Sequence, residues 1–197
     1  MTRPALDLAL VDAEPDRWRR VLLVIALLDE AMGEREPHRR PTVVGGSAVE
    51  FWSTGGYASR DIDVVVFDRD AAAAVLKRSG FEQIGHHWVH AASDLWIEFP
   101  GTVLTYGPDA YQRIADVSIS GHQVQVISVE DLIIDRLCSG RDADLSWARE
   151  LVALHQKSIR PQELRDLGTL NGVAVLAQVE LLLAETQRLL AETQAGP

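Results

Sequence analysis

The segment TVVGGSAVEFWSTGGYASRDIDVVVF, residues 42–67, decides the reading of this chain. It holds two glycine pairs, then Asp61 and Asp63 at the head of an apolar, β-branched run. Such a run reads as a strand, yet aspartate is depleted in strands. Residues i and i+2 share one strand face, so the two carboxylates stand side by side, roughly 6–7 Å apart at the backbone. Ile62 points the other way, into the core. Like charges this close repel and resist burial. Either the acids are solvated or paired with arginine, or a hard cation holds them. Mg²⁺ takes oxygen ligands and commonly uses one or two carboxylates together with substrate phosphates.

The first glycine pair bears on that choice. VVGGS follows a short strand, Thr42–Val44, and opens a helix. Gly45 and Gly46 permit a sharp turn and close approach to the backbone. Unpaired N–H groups at the helix start, with the Ser47 hydroxyl, make an anion site. A phosphate cradle followed on the next strand by an acid pair describes a site for a nucleoside triphosphate with Mg²⁺. Two-metal phosphoryl transfer needs a further ligand. DLWIEFP, residues 94–100, offers Glu98 inside an otherwise apolar strand, on the face it shares with Trp96. Asp94 competes, but it stands at the strand's start, where a turn acid is ordinary. Glu98 is preferred.

The rest of the chain sets bounds. Its 197 residues fit one domain, or one domain with a helical extension. With 47% hydrophobic and 24% charged residues it reads as globular rather than disordered. The apolar run VLLVIALLDEAM, 21–32, is too short and too acidic to span a bilayer. The N-terminal residues lack the basic-then-apolar order of a signal peptide. A single cysteine, Cys138, precludes an internal disulfide and suits a reducing cytoplasm. The expectation is a cytoplasmic protein without a membrane partner. A net charge of −10 argues against non-specific coating of nucleic acid. Arg35, Arg39 and Arg40, with Arg17, Arg19 and Arg20, form either solvated polar segments or a patch that meets a polyanion.

Periodicity predicts helices over 15–32, after Gly45, over 68–79 and from Ser128 onward. It predicts strands at 42–44, 61–67, HWVHA and DLWIEFP, and a hairpin turning at Gly121-His122. Ser128 with Asp131 resembles a capping box, and Gly140 closes that helix. The last helix, from Val173 to Gln194, carries Leu176, Val179, Leu182, Leu183, Leu189 and Leu190 at helical spacing. It packs on its own domain or offers a partner surface. The order predicts an α/β (α+β) fold, a mixed sheet flanked by helices over 1–127, with a helical C-terminal part over 128–197 packed on the core.

These residues resemble a family. GGSA plus SRDID is similar to the glycine-pair and D-x-D signature of the minimal nucleotidyltransferases of the polymerase-β-like superfamily, and the acid in IEFP looks like their third carboxylate. SVEDLIIDRLCSGRDADL is similar to a helix of the bacterial branch related to abortive-infection and MenT-type toxins. The resemblance covers roughly residues 40–150. It implies that Gly45, Gly46 and Ser47 hold a triphosphate, and that Asp61 and Asp63 bind Mg²⁺. Glu98 completes a two-metal site or acts as base. Asp144 faces the nucleotide and Arg141 contacts phosphate. Arg136 stands where the family often has lysine, and it either binds phosphate or faces solvent. Ser59 matches a position where an antitoxin can phosphorylate the toxin, or is a plain loop serine.

The function implied is transfer of a nucleoside monophosphate from an NTP to a hydroxyl, most directly a tRNA 3′ end, by a toxin with a cognate antitoxin. The alternatives are modification of a protein side chain or a small molecule, and a catalytically silent nucleotide- or partner-binding module. His86, His87 and His90 lack a cysteine or acid to complete a zinc set, and the expectation is an edge strand with polar residues outward. Cys138 is expected to be packed and unreactive. Trp96 and Tyr57 either stack on a base or belong to the core.

Overall fold

Seven strands form one mixed sheet in the computed structural model, which describes residues 4–107 and 109–194. In chain order they are β1 (Thr42–Val43), β2 (Ile62–Val65), β3 (Glu82–Ile84), β4 (His87–His90), β5 (Leu95–Glu98), β6 (Ala115–Ile119) and β7 (His122–Val126). They lie in the order β3-β4-β5-β2-β1-β7-β6. β2 runs parallel to β5 and β1 parallel to β7, while the other neighbours are antiparallel. Contacts divide the chain into two compact units, Met1–Thr105 with Asp109–Ile127, and Tyr106–Pro108 with Ser128–Pro197. The sheet belongs wholly to the first.

The helices of the first unit are α1 (Leu8–Ala13), α2 (Arg17–Met32), α3 (Gly45–Trp52), α4 (Arg69–Arg78) and α5 (Ala110–Arg113). α2 is buried on nearly every side; Leu22, Val24, Ile25 and Leu28 have no exposed surface. A helix apolar all round belongs in a core, and this one does. Its buried Asp29 is joined by Arg40 at 2.7 Å. α4 starts where the Asp68 side chain accepts the Ala71 amide at 2.9 Å, an N-cap bond, and ends on Lys77 and Arg78, which suit the helix dipole.

Two differences from the sequence expectation have plain causes. The hairpin turns at Ser120-Gly121, not Gly121-His122; both turn residues have positive φ, 51° and 87°, and Ile119 pairs with His122. A two-residue loop with two positive φ values matches the strand twist, which draws His122 into β7. α1, α5 and β3 are additions; each is short, and none has a periodic run long enough to announce it.

The second unit consists of α6 (Val129–Ser139), α7 (Asp142–Leu154), α8 (Pro161–Leu170) and α9 (Val173–Gln194). Ser128 accepts the Asp131 amide at 3.0 Å, the expected cap, and Gly140 ends α6 at φ 66°. Leu132, Ile133, Leu151, Leu164 and Leu167 are buried. α9 turns Val175, Val179, Leu182 and Leu183 inward, while Leu181 and Leu189 are exposed. The Leu190 side chain lies outside the described residues. Buried Glu130 accepts both the Arg160 backbone amide and its guanidinium at 3.1 Å. Among the described residues, no helix is long and apolar enough to cross a membrane.

Candidate active site

Three neighbouring strands place one row of polar side chains. Asp63 on β2 is the register partner of Glu98 on β5, and Glu98 is the register partner of His87 on β4. Asp61 immediately precedes β2 and shares the face of Asp63, while Ile62 and its partner Ile97 are buried on the other face. Asp61, Asp63 and Glu98 each offer a carboxylate oxygen, all within 4.8 Å of one another, and all three are partly exposed. Asp94 is elsewhere: it is exposed, with φ 50°, and caps the short turn Ala91–Ser93. It is the ordinary turn acid.

The glycine pair is tied to the acids. Gly45 has φ 56°, and a Cβ there would lie 2.5 Å from Asp63 Oδ2. A Cβ on Gly46 would lie 2.6 Å from the Ser59 hydroxyl. The Gly46 amide donates to Asp63 Oδ2 at 2.8 Å. The fully buried Ser47 hydroxyl donates to the Asp61 carbonyl at 3.1 Å and accepts the Asp63 amide at 3.0 Å. The anion at this helix start is therefore the chain's own Asp63, and Ser47 is enclosed against the acid strand.

The loop between α3 and β2 is pinned from beneath. Buried Glu50 accepts the Ser59 amide at 3.0 Å and pairs with Arg17 at 3.1 Å, and Arg17 also donates to the Ser59 carbonyl. Ser59 is 4% exposed. The hydroxyl expected to be a phosphorylation site is thus enclosed in this structure.

The histidines depart from the sequence expectation, because an acid does complete their set. His87 Nε2 lies 3.1 Å from Asp61 Oδ2 and 3.8 Å from Glu98 Oε2, and His86 Nε2 lies 3.9 Å from the same Glu98 oxygen. The signal was the register of HWVH against LWIE, which sets His87 opposite Glu98. His90 lies apart, accepting the Ser93 amide and leaning on Phe81. Trp96 is not core: its ring stands edge-on to His87 at 5.8 Å, with the Arg60 guanidinium 5.9 Å over it. Tyr57 is half-buried beside Gly46.

Arg136, Arg141 and Asp144 come together within the second unit. Asp144 accepts Arg136 at 2.8 Å, Arg141 at 2.6 Å and Ser139 at 2.6 Å. Burial pushes the Asp144 carboxyl up, but the Ser139 and Arg141 hydrogen bonds and both guanidinium charges hold it below the usual range. Arg136 also pairs with Asp135 and is largely enclosed, so it does not face solvent; Arg141 is mostly exposed. Cys138 is exposed rather than packed, and burial of its surroundings and the Asp135 charge push its thiol up.

The arginine segments are mostly neutralised. Arg17 pairs with Glu50, Arg19 with Glu14 and Arg20 with Asp12, and Arg35 and Arg40 both face Asp29. Arg39 lies 4.7 Å over Phe67. A cavity of about 490 Å³ beside it, lined by Arg35, Arg39, Phe67 and Arg69 among others, contains none of the three acids.

The chain matches the family model described as "Nucleotidyltransferase of unknown function (DUF6036)" over residues 20–161, a span that includes all three acids. Among solved structures it is similar to an antigenic nucleotidyltransferase-like protein from Paracoccidioides brasiliensis. The identity is 18%, the alignment covers 86% of this chain and 93% of that one, and the TM-score is 0.55. That likeness supports the fold. The antibiotic-resistance factor ANT(2'')-Ia aligns at 18% identity over 79% of this chain and 85% of that one, with a TM-score of 0.36, too loose to carry a fold comparison. No curated protein matches the chain. The family match spans the sheet and the acid row alike, and the chain belongs to the DUF6036 family of nucleotidyltransferases, enzymes that use an NTP and a divalent metal.

Proposed function

We propose that this chain transfers a nucleoside monophosphate from an NTP to an acceptor hydroxyl, releasing pyrophosphate, with Asp61, Asp63 and Glu98 holding Mg²⁺ in a two-metal site. The observation that carries this reading is the convergence of three partly exposed carboxylates within 4.8 Å. Such a set repels itself unless a cation joins it, and all-oxygen donors suit Mg²⁺. When bound, the metal would orient the triphosphate and offset charge on the attacking and leaving oxygens. The chain's own part is placement. The Gly46 amide and the Ser47 hydroxyl fix the acid strand before substrate arrives, as outer partners of metal ligands do. The missing side chain at Gly45 leaves Asp63 its position. Glu98 serves as ligand or as base on the acceptor hydroxyl.

The assignments of Arg136, Arg141 and Asp144 to nucleotide binding rest on the motif resemblance; Arg141→Ala tests them by its effect on NTP affinity. The same resemblance supports a tRNA 3′ end as acceptor, Ser59 as a modification site, and a toxin role with a cognate antitoxin. Pairing of the arginines with acids gives the tRNA reading no added support. Incubation with each α-labelled NTP, Mg²⁺ and separate pools of tRNA, protein and small hydroxyl compounds tests the reading. Label on one pool, lost in Asp61→Ala, supports it and names the acceptor. NTP binding with no transfer to any pool favours the silent module.

A further inference from the structure

We infer that His86, His87 and Glu98 form a second cation position, beside the acid site, that takes a zinc-like transition-metal dication. The inference goes beyond the proposed transfer and touches it through the shared Glu98 and the His87–Asp61 contact. His86 sits in the turn before β4 and His87 opens that strand, yet both rings converge on one side. Their centroids are 4.1 Å apart at 39°. Both Nε2 atoms approach the same Glu98 oxygen, at 3.9 Å and 3.8 Å, and the three donor atoms lie within 4.8 Å of one another. Adjacent strand residues ordinarily point to opposite faces. The turn at Gly85, with φ 64°, lets His86 escape that alternation.

The donor set differs in kind from Asp61, Asp63 and Glu98. Mg²⁺ prefers oxygen and dehydrates reluctantly. Imidazole nitrogen suits zinc, copper, iron and nickel, and affinity rises along the divalent series to copper and falls back at zinc. Two histidines and one glutamate, with coordination positions left over, make a recurring open zinc set. His87 Nε2 also lies 3.1 Å from Asp61 Oδ2; that contact uses the donor nitrogen itself and gives way when the nitrogen binds a cation. The edge of Trp96 flanks the His87 ring. One cluster thus offers an oxygen position and a mixed nitrogen–oxygen position that share Glu98.

Zn²⁺ titration of the full chain in excess Mg²⁺, without NTP or acceptor, tests this. The expected result is one Zn²⁺ retained per chain. The H86A/H87A double variant should weaken it by about 100-fold or more, while D63N weakens it by less than about tenfold. In the wild-type chain loaded with Co²⁺, NMR should show paramagnetically shifted protons from two imidazoles, a readout that needs no variant to fold. Displacement of Zn²⁺ by Mg²⁺ at comparable concentration, unchanged binding in H86A/H87A, or the absence of shifted imidazole signals would overturn the inference. D63N separates the two proposals, since it should abolish nucleotidyl transfer and keep Zn²⁺.

Discussion

The Gly46 amide donates to the Asp63 carboxylate at 2.8 Å, joining the glycine turn to the acid strand. The residue before it, Gly45, holds φ 56° with no room for a Cβ beside Asp63. Gly45→Ala therefore meets backbone strain of about 1–3 kcal/mol and displaces a proposed ligand. Its melting temperature should fall, and NTP turnover should fall further than the remaining folded fraction accounts for. Thermal melts and turnover measured on the same sample check this.

Ser47 makes two buried hydrogen bonds to the acid strand and touches no open surface. Ser47→Ala leaves the Asp63 amide without that acceptor, at a cost of about 1–3 kcal/mol. Mg²⁺ affinity should drop by about 10–100-fold although every proposed ligand remains. Denaturant unfolding and a Mg²⁺ titration of NTP turnover measure the two effects separately.

Glu50 is buried and holds both Arg17 and the Ser59 amide. Glu50→Ala removes the acceptor for both. Arg17 is half exposed and regains water, so the expected loss is about 1–3 kcal/mol, chiefly from the Ser59 amide. Deuterium exchange across residues 53–60 should accelerate in the variant. Unchanged exchange would show that Glu50 does not hold the loop closed.

Much of this site was legible in the chain. The alternation around Asp61-Ile62-Asp63 and the apolar surroundings of Glu98 follow from strand period alone, and the structure places all three together. Ser128 and Gly140 announced the limits of α6 because caps are local chemistry. What stayed hidden depends on register. His87 reaches Glu98 only because HWVH pairs with LWIE in one particular alignment. The arginines near residue 40 looked unpaired because Asp29 is distant in sequence and meets Arg40 only through the fold. Nothing in GGS reveals that the Ser47 hydroxyl turns toward the next strand.

Acid should weaken the second unit through Glu130. Burial pushes its carboxyl up, but the Arg160 hydrogen bonds outweigh this and hold the folded value below the ordinary 4.5. The stabilisation is thus fully present above pH 4.5 and is lost as pH falls through the lower folded value. Asp144, also lowered, acts in the same direction. Asp29 acts oppositely: burial raises it despite Arg40, so its ionisation opposes folding as pH rises past 3.8. The stability advantage of wild type over Glu130→Gln should persist at neutral pH and shrink below pH 4.5, as chemical denaturation across an acid series will show.

The most direct measurement is α-labelled NTP transfer by a D61N/D63N double variant shown by circular dichroism and melting to be folded. Removing two of three proposed ligands should lower transfer by about 100-fold or more relative to wild type, and raising Mg²⁺ should not restore it. Wild-type transfer by the folded double variant would contradict the assignment of the chemistry to the acid row of β2 and β5.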